Sequence, residues 1–433
     1  MTRVLRGRIV VWRDDPLDAG AAARRYVEDG AILIRDGRVA ALGEAAAILR
    51  DLPPDIELVD CRPHLLMPGF IDPHLHAPQT HVIASYGAEL IEWLQKYTFV
   101  EEQRHADAAH AARCADFLCD ELLRNGTTTA CVYTAVYPCS AEAVFAAAQA
   151  RDMRMIVGKT MMDRNAPAAL TDTPQRGYDE SKALIARWHK RGRQLFAVTP
   201  RFAITSSEAQ LECAGALLRE HPDCLMQTHL DENPREIDWV RELFPWSEDY
   251  AQVYERFGLL GSGSLLGHCI HMTDGERKRL SDSRSVAVFC PTSNLFIGSG
   301  LFDLDRARDP RFPLRLAIAT DIGGGTSYSM LTTLGEAYKA LMLRGQRLTA
   351  DRAFYMATLG NARALGLEAQ IGSLAIGAEA DVVVLDSRAT PAMAHRAETL
   401  RDLDEELFLL MTMGDDRAVA ATYVMGERVH ARA

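Results

Sequence analysis

Between Leu65 and Leu343 the chain alternates short apolar runs with longer stretches of helical spacing. The apolar runs occupy residues 65–71, 127–134, 154–160, 195–199, 224–228, 264–268, 285–290 and 315–320. Continuous apolar runs of this length read as strands buried on both faces, the pattern of a parallel sheet. Between them, residues 107–124 read as a helix that ends at Asn125-Gly126, a helix-terminating pair. Residues 178–191 and 207–220 also repeat apolar side chains at helical spacing. Strands separated by helices predict parallel βα units, and eight of them predict an α/β fold closed into a (β/α)8 TIM-like barrel. An open doubly wound sheet would need a topological switch point and usually has fewer strands.

The two ends of the chain follow a different pattern. Residues 3–12 and 31–42 are rich in Val, Ile and Leu, and the second run is broken by the hairpin signal Asp36-Gly37. Near the C-terminus, residues 381–385 (DVVVL) form a buried-strand pattern, and residues 421–430 carry a glycine at their turn. Together the ends predict a small composite β-sandwich domain. The expected division is 1–65 and 375–433 for the sandwich and 66–374 for the barrel.

Length agrees with that division, since 433 residues exceed the usual size of a single core. A net charge of -11 argues against nucleic acid or an anionic membrane as partner. No apolar run is long enough to span a bilayer, and the N-terminal run lacks a signal-peptide core. Nine cysteines without paired spacing read as reduced thiols. The expectation is a cytoplasmic enzyme.

The residues with metal chemistry gather where the strand runs end. His74 and His76 close the first run, His229 the fifth, His268 the sixth and Asp321 the eighth. In a parallel barrel all these ends lie on one face, where active sites form. Side chains two apart on a strand share a face, so His74 and His76 can reach one ion. With His229 and Asp321 they offer three nitrogens and one oxygen, a set suited to Zn²⁺ or Fe²⁺ and not to Mg²⁺ or Ca²⁺. His268 reads either as a further ligand or as a neutral histidine that orients water or substrate. Glu232, three residues after His229, is placed to take a proton from a metal-activated water and return it to substrate. Its plain structural alternative is a helix-start glutamate favoured by the dipole.

Two absences narrow the chemistry. Two-metal sites of this kind usually need a bridging lysine at a middle strand end, but the fourth run ends with Arg201. Lys159, at the end of the third run, is the remaining lysine near such a position and reads as structural, so a single metal is expected. The deaminase signature H-x-E…P-C-x-x-C is missing, and Gly323 to Gly325 lack the GK[ST] of a phosphate loop.

PGFIDPHLHAPQ (68–79), QTHLDEN (227–233) and ATDIGGG (319–325) resemble the amidohydrolase superfamily. Within it, EWLQKYTF (92–99), LLRNGTTTA (122–130), GKTMMDRNAP (158–167), VTPRFAITSS (198–207) and FCPTSNLFIGSGLF (289–302) resemble the guanine deaminase branch. The resemblance runs from about Val10 to Val429. It implies hydrolytic deamination of a small-molecule purine base, guanine, to xanthine and ammonia by a homodimer. It also implies one Zn²⁺ per chain, with Fe²⁺ acceptable, held by His74, His76, His229 and Asp321. Glu232, Asp321 and His268 would be catalytic, with His268 also touching substrate. Gln79 and Arg201 would hold the purine's polar edges, since an amide offers donor and acceptor and an arginine fork suits a carbonyl and ring nitrogen. Phe202 and Trp93 would wall the ring. Plainer readings stand beside these: Trp93 and Phe99 as core residues, and Arg201 as a buried ion-pair partner. Residues 80–88, which would help cover the site, carry no sharp motif. A sister enzyme acting on a modified purine, pterin or triazine is the alternative within the superfamily.

Overall fold

The computed structural model describes residues 2–50, 52–53, 56–87 and 90–432. Both ends of the chain build one seven-stranded sheet. Its strands are β1 (Thr2–Trp12), β2 (Arg24–Arg35), β3 (Arg38–Glu44), β4 (Glu57–Pro68), β14 (Val382–Leu385), β15 (Val419–Val424) and β16 (Glu427–Ala431). Their order is β16-β15-β14-β4-β1-β2-β3. The pairs are antiparallel except β1 with β4. The Asp36-Gly37 hairpin forms as expected, with φ of 49° and 77°, the left-handed geometry that a tight two-residue turn demands. The sheet folds over on itself. Ala380 N–H donates to Gly37 O and Gly426 N–H donates to Ala380 O, so the β2–β3 and β15–β16 turns meet. Leu5, Ile32, Val382 and Tyr423 fill the space enclosed. The sandwich thus arises from one curled sheet with strands from both termini.

The barrel strands are β5 (Phe70–His76), β6 (Thr127–Tyr133), β7 (Arg154–Gly158), β9 (Gln194–Pro200), β10 (Leu225–Leu230), β11 (Ser264–His268), β12 (Val286–Phe289) and β13 (Arg315–Ile318). They lie side by side in chain order and all pair parallel. Helix Ala108–Arg124 starts at Asp107, whose side chain accepts from Ala109 N–H, and stops at Asn125. No helix of the described residues is long and apolar enough to cross a membrane. All nine cysteines are free thiols.

Two runs divide where the sequence reads as continuous. Residues 65–71 are shared between β4, which belongs to the terminal sheet, and β5, which opens the barrel. The break is Gly69, whose N–H donates to Asp381 O at 3.0 Å. A Cβ there would fall 2.3 Å from Thr128 Oγ1. An apolar run shows burial but not which sheet does the burying. Residues 154–160 likewise split into β7 and the short β8 (Thr160–Met161), which pairs with β9. Between them, Lys159 turns its Nζ to Asp172 at 2.6 Å and Glu180 at 3.3 Å.

Closure of the barrel joins β5 to the segment leaving β13. Asp321 N–H donates to His74 O at 3.0 Å, and His76 N–H donates to Ile322 O at 2.5 Å. Deeper in, the Asn361 amide bridges the same gap. Its Nδ2 donates to Ile71 O and Ile318 O at 2.7 and 2.8 Å, and its Oδ1 accepts from Ile318 N–H at 2.9 Å. Asp72 adds acceptors for Thr320 N–H and Thr320 Oγ1. Replacing the amide strands buried backbone groups, each costing about 1–3 kcal/mol. Asn361→Leu is therefore expected to lower stability by about 2–4 kcal/mol, read as an earlier urea midpoint. An unchanged midpoint would mean the seam holds without that amide.

Candidate active site

The strand ends bring the expected metal ligands into one buried group. His229 Nε2 lies 3.3 Å from His76 Nε2, and Asp321 Oδ1 lies 3.3 Å from both His74 Nε2 and His76 Nε2. The donor atoms of His74, His76 and His229 all lie within 4.8 Å of one another. Asp321 and His268 hold φ of 53° and 74°, a left-handed conformation that non-glycine residues keep only where the surroundings enforce it. His229 Nδ1 sits 2.8 Å from Arg201 O, which makes Nδ1 the protonated nitrogen and aims the Nε2 lone pair into the group. His74 buries both ring nitrogens without a hydrogen bond. An orphaned buried imidazole is costly unless an ion completes it, so the donor set fits a metal. Electrostatics agree. Burial, then the neighbouring rings, pushes His229 far below the usual histidine range. Burial takes His76 down to about 3 against the pull of Asp321. Burial alone would raise Asp321, but the His74 and His76 rings outweigh it and keep the carboxylate ionised. Neutral imidazoles and an ionised carboxylate are the forms that bind a cation.

His268 stands beside this group. Its Nδ1 lies 2.8 Å from Asn294 Oδ1, and its Nε2 faces Glu232 Oε2 at 3.3 Å and Asp321 Oδ2 at 3.7 Å. Glu232 Oε1 accepts from Ser299 Oγ at 2.9 Å. Burial, then the charge of Asp321, raises the Glu232 carboxyl well above its ordinary range. The backbone holds Glu232 firmly. Helix Pro234–Leu243 starts with a capping box between Asn233 and Glu236, and Glu236 Oε2 also accepts from Glu232 N–H at 3.0 Å. Cys290, which sequence reasoning passed over, places its thiol near His74, His268 and Asp321. Burial, then Asp321, pushes that thiol well above its usual range.

These groups open into a cavity whose lining also includes Gln79, Trp93, Arg201 and Phe202. Every residue expected at the site lines it except His74, which is buried behind. The polar wall is braced by Glu102, 1% exposed. Arg201 Nη1 donates to both Glu102 oxygens at 2.7 and 2.8 Å, and Gln79 Nε2 donates to Glu102 Oε1 at 3.3 Å. Gln79 Oε1 accepts from Gly323 N–H at 3.2 Å. Arg201 is thus a buried ion-pair partner and a cavity residue at once. Trp93 is both buried and part of the wall, and its Nε1 donates to Ser85 O at 3.1 Å, tying the segment after Gln79 to the site. Of residues 80–88, Ala88 lies outside the described residues. Glu102, Ser299 and Asn294 had escaped sequence reasoning. Ser299 and Asn294 fall inside the 289–302 stretch, and the Asn233–Glu236 capping pair was also readable.

The described geometry agrees with three comparisons. The amidohydrolase family model matches residues 65–429. The guanine deaminase of Escherichia coli (strain K12) is 48% identical over 95% of this chain and 93% of its own. A solved structure of E. coli guanine deaminase superposes with a TM-score of 0.97 at 46% identity, covering 100% of both chains. The guanine deaminase from C. acetobutylicum with guanine bound in its active site superposes with a TM-score of 0.88 at 26% identity, covering 99% of this chain and 100% of that one.

Proposed function

The chain belongs to the amidohydrolase family, and from that membership we propose that it is a metal-dependent guanine deaminase, hydrolysing guanine to xanthine and ammonia. The observation that carries this reading is the one cavity shared by both kinds of group. The same lining holds His76, His229, Asp321, His268 and Glu232 together with the Gln79 amide and the Arg201 guanidinium.

His74, His76, His229 and Asp321 would hold one zinc ion, or ferrous iron, in the barrel. Such an ion supplies a Lewis acid that makes hydroxide available from water near neutral pH. Lys159 is committed to Asp172 and Glu180, which supports a single ion at this site. Gln79 is anchored at both ends of its amide by Gly323 and Glu102, so its orientation toward a purine edge is set before binding. Arg201 uses Nη1 on Glu102 and turns its remaining donors to the guanine carbonyl and ring nitrogen. Trp93 and Phe202 flank the ring plane and keep bulk water out. The oxygen of water bonds to C2. Glu232 takes one of its protons and delivers it to the ring nitrogen beside C2. Asp321 accepts the second proton, which passes by way of Glu232 to the amino group as the C2–N bond breaks, leaving ammonia and the new carbonyl of xanthine. His268, aimed by Asn294, steadies the Glu232 carboxylate during the transfer. The protein is expected to work in the cytoplasm as a homodimer, which light scattering on the purified chain tests.

The test is the guanine-to-xanthine absorbance change with metal content measured on the same sample. No ammonia from guanine by folded, metal-loaded protein would end the proposal. Faster turnover of adenine, cytosine or melamine would reassign the substrate. A site built to bind the guanine carbonyl should reject adenine strongly, because adenine leaves its donors unpaired. Arg201→Lys keeps a cation against Glu102 but loses the fork. It is expected to raise KM and lower kcat/KM for guanine roughly 10- to 100-fold. Unchanged kcat/KM would remove Arg201 from substrate recognition.

A further inference from the structure

A second group of metal-ligating side chains stands behind the polar wall of the cavity. His81 follows Gln79 by two residues. Glu101 lies on helix Phe99–Arg104 next to Glu102. His110 and Cys114, one turn apart on helix Ala108–Arg124, share a face. Their donor atoms converge. Glu101 Oε1 lies 3.0 Å from His81 Nδ1 and 2.9 Å from His110 Nε2. Cys114 Sγ lies 3.7 Å from His81 Nδ1 and 3.5 Å from His110 Nε2. All four donors lie within 4.8 Å of one another.

Those spacings are close to the edges of a zinc tetrahedron. Bonds of about 2.0 Å to nitrogen or oxygen and about 2.3 Å to sulfur require N···S edges of about 3.5 Å and N···O edges of about 3.3 Å. The two N···S edges are within a few tenths of an ångström of these values, and the two N···O edges need to open by only a few tenths. The surroundings suit an ion as well. Arg104 Nη1 holds Glu101 Oε2 at 2.7 Å, which orients the carboxylate and leaves Oε1 toward the other donors. Glu101, His110 and Cys114 are buried, whereas the His81 side chain is 55% exposed and opens a route from solvent.

We propose that His81, Glu101, His110 and Cys114 form a second metal site, for zinc or a similar thiolate-binding divalent ion. One sulfur, two imidazoles and one carboxylate select such ions over Mg²⁺ and Ca²⁺. Binding expels the Cys114 thiol proton and converts a hydrogen-bonded cluster into a cross-link. That cross-link joins the helix that presents Glu102, the segment that presents Gln79, and helix Ala108–Arg124. The site is independent of the substrate assignment, since none of its ligands lines the cavity.

Cobalt is the probe, because a cobalt–thiolate bond gives a near-ultraviolet charge-transfer band that imidazole and carboxylate ligands do not. The full chain, reduced and loaded with Co²⁺, should take up about two ions and show that band. His81→Ala and Cys114→Ser should each lose the band and about one ion, while His229→Ala keeps the band and loses the other ion. His81 is exposed, so its variant tests the site without disturbing the core. Uptake of one ion without a band would overturn the proposal. A band that survives Cys114→Ser and disappears in Cys290→Ser would also overturn it, placing the thiolate in the barrel.

Discussion

Glu232→Gln is expected to lower kcat for guanine by about 10²–10⁴-fold while the metal stays in place, the range that positioned acid–base groups contribute. The substitution is nearly isosteric, and the amide oxygen can still accept from Ser299 Oγ, which now bonds Glu232 Oε1. The capping box that seats the residue uses Asn233, Glu236 and backbone N–H groups, none of which changes. What the amide cannot do is carry a proton between water and the purine. Loss should therefore fall on kcat, with guanine binding and metal content near those of the parent protein. Metal content measured beside single-turnover kinetics checks this. Turnover at the parent rate would dismiss Glu232 as the proton carrier and leave Asp321 and His268 as the candidates.

His229→Ala should have the larger effect, removing the ion and lowering turnover by more than about 10⁴-fold, since without it neither water activation nor charge stabilisation remains. The imidazole is held by Arg201 O through Nδ1 and meets His76 at 3.3 Å through Nε2. Its removal takes a nitrogen from the centre of the group, while the Arg201 carbonyl keeps the Thr228 hydroxyl and the backbone N–H of residue 229 as donors. His268 cannot readily substitute, because Asn294 holds its Nδ1 and its Nε2 is directed at Glu232. Elemental analysis after dialysis and the xanthine assay read the two consequences together. A variant that keeps one tightly held barrel ion and near-parent turnover would break the ligand assignment.

Much of this site was readable because a barrel exposes its chemistry at predictable places. A parallel strand buried on both faces is apolar along its length, so a histidine or aspartate that ends such a run stands out. His74, His76, His229, His268 and Asp321 were found that way. Glu232 followed from its position after His229. What stayed hidden depends on pairing across distance. Glu102 is one of 59 acidic residues in the chain, and its role exists only because Gln79 and Arg201 converge on it. Asn361 lies outside every strand, and nothing local marks it as the bridge between β5 and β13. Gly69 interrupts a run too briefly to register in an apolar pattern, although it separates two sheets. The cluster at His81, Glu101, His110 and Cys114 joins ligands from three separate segments, and its one short spacing, His110 to Cys114, is also an ordinary spacing on the buried face of a helix.

The seam between β5 and the segment leaving β13 also sets when the protein can become an enzyme. His74 and His76 emerge early during synthesis on the ribosome, but Asp321 lies across the closing gap, where its own N–H bonds His74 O. Chains emerge from the N-terminus onward, so a nascent polypeptide carries three histidines long before the carboxylate arrives. With the proposed ligand set, tight capture of the barrel ion would come late in maturation, after the last strand has docked. Chains arrested before residue 315 should leave the ribosome metal-poor, and a cell short of the ion would accumulate closed but inert barrels instead of half-built ones.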